Sequence, residues 1–322
     1  MKRVFKVNLL FLAIIVLQIS MALFGVPLFS KYFSTNIFLI ITSVLFVYAP
    51  AIIYILVNKQ SFKKTLKLNK LGSDNALSCF AIFLLLLPVT SFCNLLTSIW
   101  FKNNVPAAME HTYSGSALLF FLTLAVMPAI GEEIVMRGVV LDGYKKLNIH
   151  TAALMNGFLF GIMHLNPPQF LYAFILGAVF SYLVIYTNSI FSSMFVHFLF
   201  NGLSSAAFII MMKSKDLLKD KMTKEATNMA MSSINKEYIT MLIITGICAI
   251  IALLLIALVL KKVKIRNNYE ERMKFEEHTF NLEEDETRDG FLNINTKKSK
   301  LIAYSPVVVS VLLFIFIIIL TI

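Results

Sequence analysis

The sequence predicts an all-α fold, a polytopic transmembrane helical bundle of about eight to nine spans with a buried polar cavity. Three observations predict it. The chain is 58% hydrophobic and only 15% charged, with a mean hydropathy of +0.79, whereas a soluble domain carries about 25% charged residues. Apolar runs long enough to span hydrocarbon, which takes roughly 20 residues, recur along the whole chain. Polar and ionisable side chains interrupt three of these runs, and groups at lipid depth must find partners inside the protein.

In chain order the runs lie at Asn8–Phe29, Thr35–Val57, Ala76–Trp100, Ala117–Val140, Thr151–Leu165, Gln169–Thr187, Ile190–Met212, Tyr238–Leu260 and Tyr304–Ile322. The first follows Met1-Lys2-Arg3. It is too long for a signal-peptide core and lacks a clear cleavage site, so it reads as an uncleaved span. The fifth is short and must be sunk into protein or tilted with its neighbours. Pro128 and Gly131 predict a bend or break in the fourth.

The net charge of +11 reads as basic cytoplasmic loops, with no nucleic-acid partner. Lys2, Arg3, Lys6, the lysines from Lys59 to Lys70, Lys145, Lys146 and the segment after the eighth run all fall on one side of an up-and-down chain. That bias predicts a multi-pass protein of a cell membrane with its N-terminus in the cytoplasm. The lysines between Lys213 and Lys236 stand on the other side, against it. Both Lys213–Lys236 and Lys261–Lys300 read as solvated connectors, the second with an acidic centre at Glu283–Glu286. Cys79, Cys93 and Cys248 lie in apolar runs and form no CxxC, which points to packing. The chain divides into N-terminal helices over 1–115, a polar membrane core over 116–212, and C-terminal helices over 213–322 with a charged loop at 261–303.

The chemistry starts at Gly131-Glu132-Glu133-Ile134-Val135-Met136-Arg137-Gly138, which follows fourteen uncharged residues. Charges at membrane depth cost at least a few kcal/mol each and are usually functional. On a helix Glu133 and Arg137 are i and i+4, with the acid on the favourable N-terminal side. Glu132 is rotated about 100° away. Arg137 thus neutralises Glu133 and leaves Glu132 free to act as a general base or acid. His111, His150 and His278 fall in loops or at run ends, where a solvated histidine is the default. His164 and His197 lie inside or at the edge of apolar runs. Phe160 and His164 share one helix face, as do His197 and Asn201. Facing the three clusters into one cavity would gather Glu132, Glu133, Arg137, His164, His197 and Asn201. That set suits water activation and oxyanion stabilisation. HExxH, GxSxG and GxGD are absent, so water activated by Glu132 is the natural attacking group.

GEExxxRG at 131–138, FxxxH at 160–164 and HxxxN at 197–201 resemble the CAAX protease and bacteriocin-processing family of intramembrane proteases, also called the Abi family. Gln169-Phe170, Ala173-Phe174, Gly177, Thr187–Ile190 and Ser193-Met194 resemble its intervening pattern. The likeness covers about Ala117–Leu203, with spacings of 32 and 33 residues between Glu132, His164 and His197. It implies an endopeptidase of membrane-associated or lipidated substrates. Glu132 and His164 would activate water, and Glu133 and Arg137 would support the site. His197 and Asn201 would stabilise the oxyanion, with Phe160 beside His164. The family is catalogued as metalloproteases. Glu132, His164 and His197 can bind Zn2+, and they can equally work as a metal-free base and donors.

Two other readings use the same residues. One is a proton-coupled transporter, although no inverted repeat supports it. The other is a non-proteolytic relative that acts in bacteriocin self-immunity or binds a membrane partner. Any reading meets one geometric difficulty. If the fourth and fifth runs simply cross the bilayer, Glu132 and His164 lie toward opposite faces. Either the bend at Pro128–Gly131 raises Glu132, or the fifth run is sunk.

Overall fold

A computed structural model describes residues 1–29, 32–113, 115–218, 236–274 and 297–321. Among them there is no strand, and eight helices are long and apolar enough to cross a membrane. The helices are α1 (Lys2–Phe29), α2 (Thr35–Val57), α3 (Ser73–Thr97), α4 (Ala117–Gly143), α6 (Pro167–Thr187), α7 (Phe191–Leu218), α8 (Lys236–Arg266) and α9 (Lys297–Thr321). The ninth apolar helix, α5 (Ile149–Met163), is shorter. Several helices outrun their apolar runs. α5 begins early because the Asn148 side chain accepts the His150 N–H. α6 starts at the proline pair Pro167-Pro168, whose missing N–H groups a first turn does not need. α8 carries on through Lys261–Arg266, so the charged segment begins as helix. His278, the acidic stretch Glu283–Glu286 and most of the Lys213–Lys236 connector lie outside the described residues.

The helices alternate in direction, and one face of the bundle gathers the basic residues. There Arg3 pairs with Asp142, joining the start of α1 to the end of α4. Lys6 donates to Asn58 at 2.7 Å, reaching the end of α2. Arg266 at the end of α8 donates to Asn75 at the start of α3. Arg272 donates to the Ile185 carbonyl near the end of α6, at 2.5 Å. The first and last helices run parallel and in contact. Buried Asn8 donates to the Ala303 carbonyl at 2.7 Å and accepts from the Tyr144 hydroxyl. A polar side chain at this depth thus has both ends satisfied.

α5 and α6 form the tightest pair, an antiparallel hairpin built on small residues. Gly157 and Gly161 are i and i+4, the small-xxx-small spacing that lets helix backbones approach closely. A Cβ at Gly157 would lie 2.6 Å from both the Ala178 nitrogen and the Phe174 oxygen. At Gly177 it would lie 2.8 Å from the Gly157 Cα. Across the seam Ser181 donates to Asn156 Oδ1 at 2.9 Å, and Asn156 donates to the Met136 carbonyl of α4 at 2.7 Å.

These lengths resolve the question of depth. α5 has 15 residues and so rises only about 22 Å from the basic face. Glu132 is eleven residues from the end of α4 at Gly143, about 16 Å up the bundle. The sinking of α5 brings His164 toward the level of Glu132. α4 does not break at Pro128. A π-helical stretch at Leu122–Val126 immediately precedes the proline turn, and a second follows at Ile134–Val140. Such wide turns accommodate a missing backbone N–H without ending a helix. The turn into α7 is covered by the loop after α2. Asn188 adopts the left-handed conformation at φ 51° and ends α6. Ser189 and Ile190 are wholly buried, with the Ile190 N–H on the Lys67 carbonyl at 3.1 Å and the Ser189 hydroxyl on the Asn69 carbonyl at 2.6 Å.

Gly157→Ala should therefore lower stability by about 1–3 kcal/mol, because backbone atoms cannot rotate out of its way. Gly202→Ala, whose Cβ would meet Phe121 at an ordinary 3.6 Å, should be neutral or stabilising. Thermal unfolding of the two variants in the same detergent checks the contrast.

Candidate functional site

The centre of the bundle is a buried carboxylate with two partners. Glu133 Oε1 accepts from Arg137 Nη1 at 2.8 Å and from His197 Nδ1 at 2.8 Å. Glu133 and Arg137 are both wholly buried. The i, i+4 spacing on α4 makes the first contact, and α7 supplies the histidine for the second. The guanidinium lies over aromatic rings, with its carbon 4.2 Å from the Phe160 centroid and 5.2 Å from Phe180. A desolvated cation gains more from such contacts than an exposed one. Phe160 is the hub of this packing. Its ring stands edge-on to His164 at 4.8 Å and to His197 at 5.9 Å.

Glu132 points the other way, as a 100° rotation on the helix dictates. It lines a cleft with His164, Met163, Gln18, Ser43, Val47 and Tyr48. The cleft holds about 80 Å³ open to water, where one water needs roughly 10–15 Å³. Glu132 and His164 thus meet in a space that admits several waters. His164 Nδ1 lies 2.8 Å from the Phe160 carbonyl oxygen. A carbonyl only accepts, so Nδ1 carries the proton and Nε2 keeps a lone pair. In His197 the Nδ1 proton is committed to Glu133 in the same way. Its Nε2 lies 3.9 Å from Glu132 Oε2, which puts the histidine between the two carboxylates.

Glu132 Oε2 and Arg137 Nε and Nη2 are buried without a hydrogen bond to the protein, and such an atom costs about 1–3 kcal/mol if nothing else satisfies it.

The six expected residues divide into three groups. Glu132 and His164 face the cleft. Glu133 and Arg137 form the charged cluster behind it, and His197 bridges from that cluster to Glu132. Asn201 is half-buried one turn beyond His197, and its side chain makes no hydrogen bond among the described residues. Three polar cleft residues escaped the sequence, all from α1 and α2: Gln18, Ser43 and Tyr48. Tyr48 donates to the Met127 carbonyl at 3.1 Å, and its ring covers Gly131. A Cβ at 131 would fall inside that ring, so glycine is the residue that lets Tyr48 reach the cleft beside Glu132.

Glu132, His164 and His197 are the donors suited to zinc. Both histidines tie Nδ1 to an acceptor and leave Nε2 free, the usual arrangement of a metal ligand. However, among the described residues no three His, Cys, Asp or Glu side chains are grouped so as to hold a metal ion. The set does not fit a metal centre, and the chemistry below runs through no metal.

Removing one partner of the buried pair should be costly. Arg137→Met should destabilise the protein by about 3–5 kcal/mol, because it strands the Glu133 charge. Adding Glu133→Gln should recover part of the loss, since the amide oxygen still accepts from His197. Unfolding temperatures of the single and double variants measure the coupling.

No curated protein and no solved structure matches the chain. Residues 114–203 match the family model described as Rce1-like, type II CAAX prenyl endopeptidase Rce1-like. That segment contains Glu132, Glu133, Arg137, Phe160, His164, His197 and Asn201. Over this part of its length, a little over a quarter, the chain is similar to the Rce1-like CAAX prenyl endopeptidase family.

Proposed function

We propose that the protein is an intramembrane endopeptidase that hydrolyses a peptide bond of a membrane-associated, prenylated substrate ending in a CAAX box. The observation that carries the reading is the meeting of Glu132 and His164 across a water-sized cleft. Behind it, Glu133 is already neutralised by Arg137, so the neighbouring carboxylate is the one available to react.

The roles follow from the hydrogen bonds. Water sits between the Glu132 carboxylate and His164 Nε2, the ring atom with a free lone pair. Glu132 takes a proton as the water oxygen attacks the carbonyl carbon. The carbonyl oxygen becomes an oxyanion, which the Asn201 amide stabilises as a donor, joined by His197 Nε2 when the imidazole carries protons on both nitrogens. Glu132 then returns its proton to the leaving amide nitrogen as the C–N bond breaks. The Nδ1 contact with Glu133 fixes the orientation of the His197 ring throughout. Arg137 acts through Glu133 and touches neither water nor substrate, so it is a positioning residue.

Depth supports the substrate class. The site lies within the apolar bundle, where a lipid-anchored peptide is concentrated and a soluble one is not. The domain division follows the same logic, with the reacting groups in 116–212 and the flanking helices anchoring them.

Glu132→Gln and His164→Ala should each lower cleavage of a farnesylated CAAX peptide by at least 10²-fold, the lower end for general acid–base catalysis, with folding and insertion unchanged. Mass spectrometry of peptides incubated with purified protein in lipid checks this. A parallel incubation with a strong chelator should leave the wild-type rate intact. Proton-coupled uptake into vesicles without peptide hydrolysis would instead mark the chain as a transporter.

A further inference from the structure

We infer that Gln18 of α1 is a substrate-positioning residue, whose side-chain carbonyl accepts a backbone N–H of the peptide lying in the cleft. The inference rests on the endopeptidase reading and adds a binding contact from outside residues 114–203. Three observations carry it. Gln18 lines the same cleft as Glu132 and His164. Its Oε1 atom is buried and has no hydrogen-bond partner. The other polar groups there have work already: Tyr48 gives its proton to the Met127 carbonyl, the Ser43 hydroxyl pairs with the Tyr48 oxygen, and Glu132 and His164 hold the water.

The chemistry of the substrate supplies the complement. A peptide must be extended for water to reach its carbonyl carbon, and extended backbone leaves its N–H groups unpaired. At lipid depth each unpaired N–H costs several kcal/mol unless the protein accepts it. A neutral amide oxygen is the suitable acceptor beside Glu132, because a second carboxylate would compete with the general base. α1 is otherwise apolar from Leu9 to Ile19, so an amide at position 18 is out of keeping with a helix that only packs.

Ester-for-amide replacement tests the contact. Each backbone N–H flanking the scissile bond is replaced in turn by oxygen in a farnesylated CAAX peptide, and kcat/KM is measured for wild type and Gln18→Met. Methionine keeps the length and volume but accepts no comparable bond. Wild type should lose about tenfold at one ester position, the size of a neutral hydrogen bond whose partner is stranded. Gln18→Met should show a similar loss on the all-amide peptide, mainly in KM, and no further loss at that position. Equal rates for the two proteins on the all-amide peptide would overturn the assignment. So would an ester penalty that survives in Gln18→Met at every position, which would leave Gln18 a packing or water-holding residue. If wild type cleaves no peptide, the endopeptidase reading fails by itself. The same ester series is then read as binding to Glu132→Ala protein in nanodiscs, where an ester effect independent of residue 18 overturns the contact.

Discussion

Glu133 is the residue on which the rest of the site depends. A lone carboxylate at the centre of an apolar bundle is prohibitively costly, and this one is held by two charge-assisted contacts of 2.8 Å. Arg137 supplies the compensating charge from the same helix. His197 supplies a proton from α7 and thereby fixes where α7 stands. The aromatic faces of Phe160 and Phe180 then cover the guanidinium and tie α5 and α6 to the same point. One carboxylate thus sets the register of four helices, and it leaves Glu132 as the reactive neighbour.

The packing that supports this centre is made of absences of side chain. Gly157, Gly161 and Gly177 let α5 and α6 touch backbone to backbone, which presses Phe160 and His164 toward α4. Gly131 lets the Tyr48 ring sit against the helix one residue before Glu132. Precise placement of a general base and its histidine depends on such rigid supports, because errors of an ångström cost large factors in rate.

Much of this was legible in the sequence, for a physical reason. Charged and imidazole groups inside apolar runs are expensive, so Glu132, Glu133, Arg137, His164 and His197 announce themselves, and the i, i+4 rule pairs Glu133 with Arg137 without a structure. The shortness of the fifth run was equally visible, and it proved to be the reason Glu132 and His164 meet. What was not legible depends on tertiary contact. Gln18, Ser43 and Tyr48 are uncharged and common in membrane helices, and only packing shows that they face the cleft. The division between a cleft wall and a charged cluster behind it also needed the rotation of α4, which the flanking π-helical turns adjust. Asn201 illustrates the reverse: it lies one turn from His197, yet its side chain makes no hydrogen bond among the described residues.

The brevity of α5 has a consequence for the path of water. A helix of about 22 Å faces a hydrocarbon layer of about 30 Å, a mismatch of several ångströms. The chain does not fill the gap by lengthening the helix. It turns at Leu165-Asn166 and buries the proline pair, with Thr97 on the Pro168 carbonyl at 3.3 Å. The end of α5 before that turn is buried among its neighbours, so protein and not lipid surrounds the place where the helix stops short. Hydrolysis consumes water as a reactant, and a helix that ends early leaves less apolar packing between the far face and Glu132.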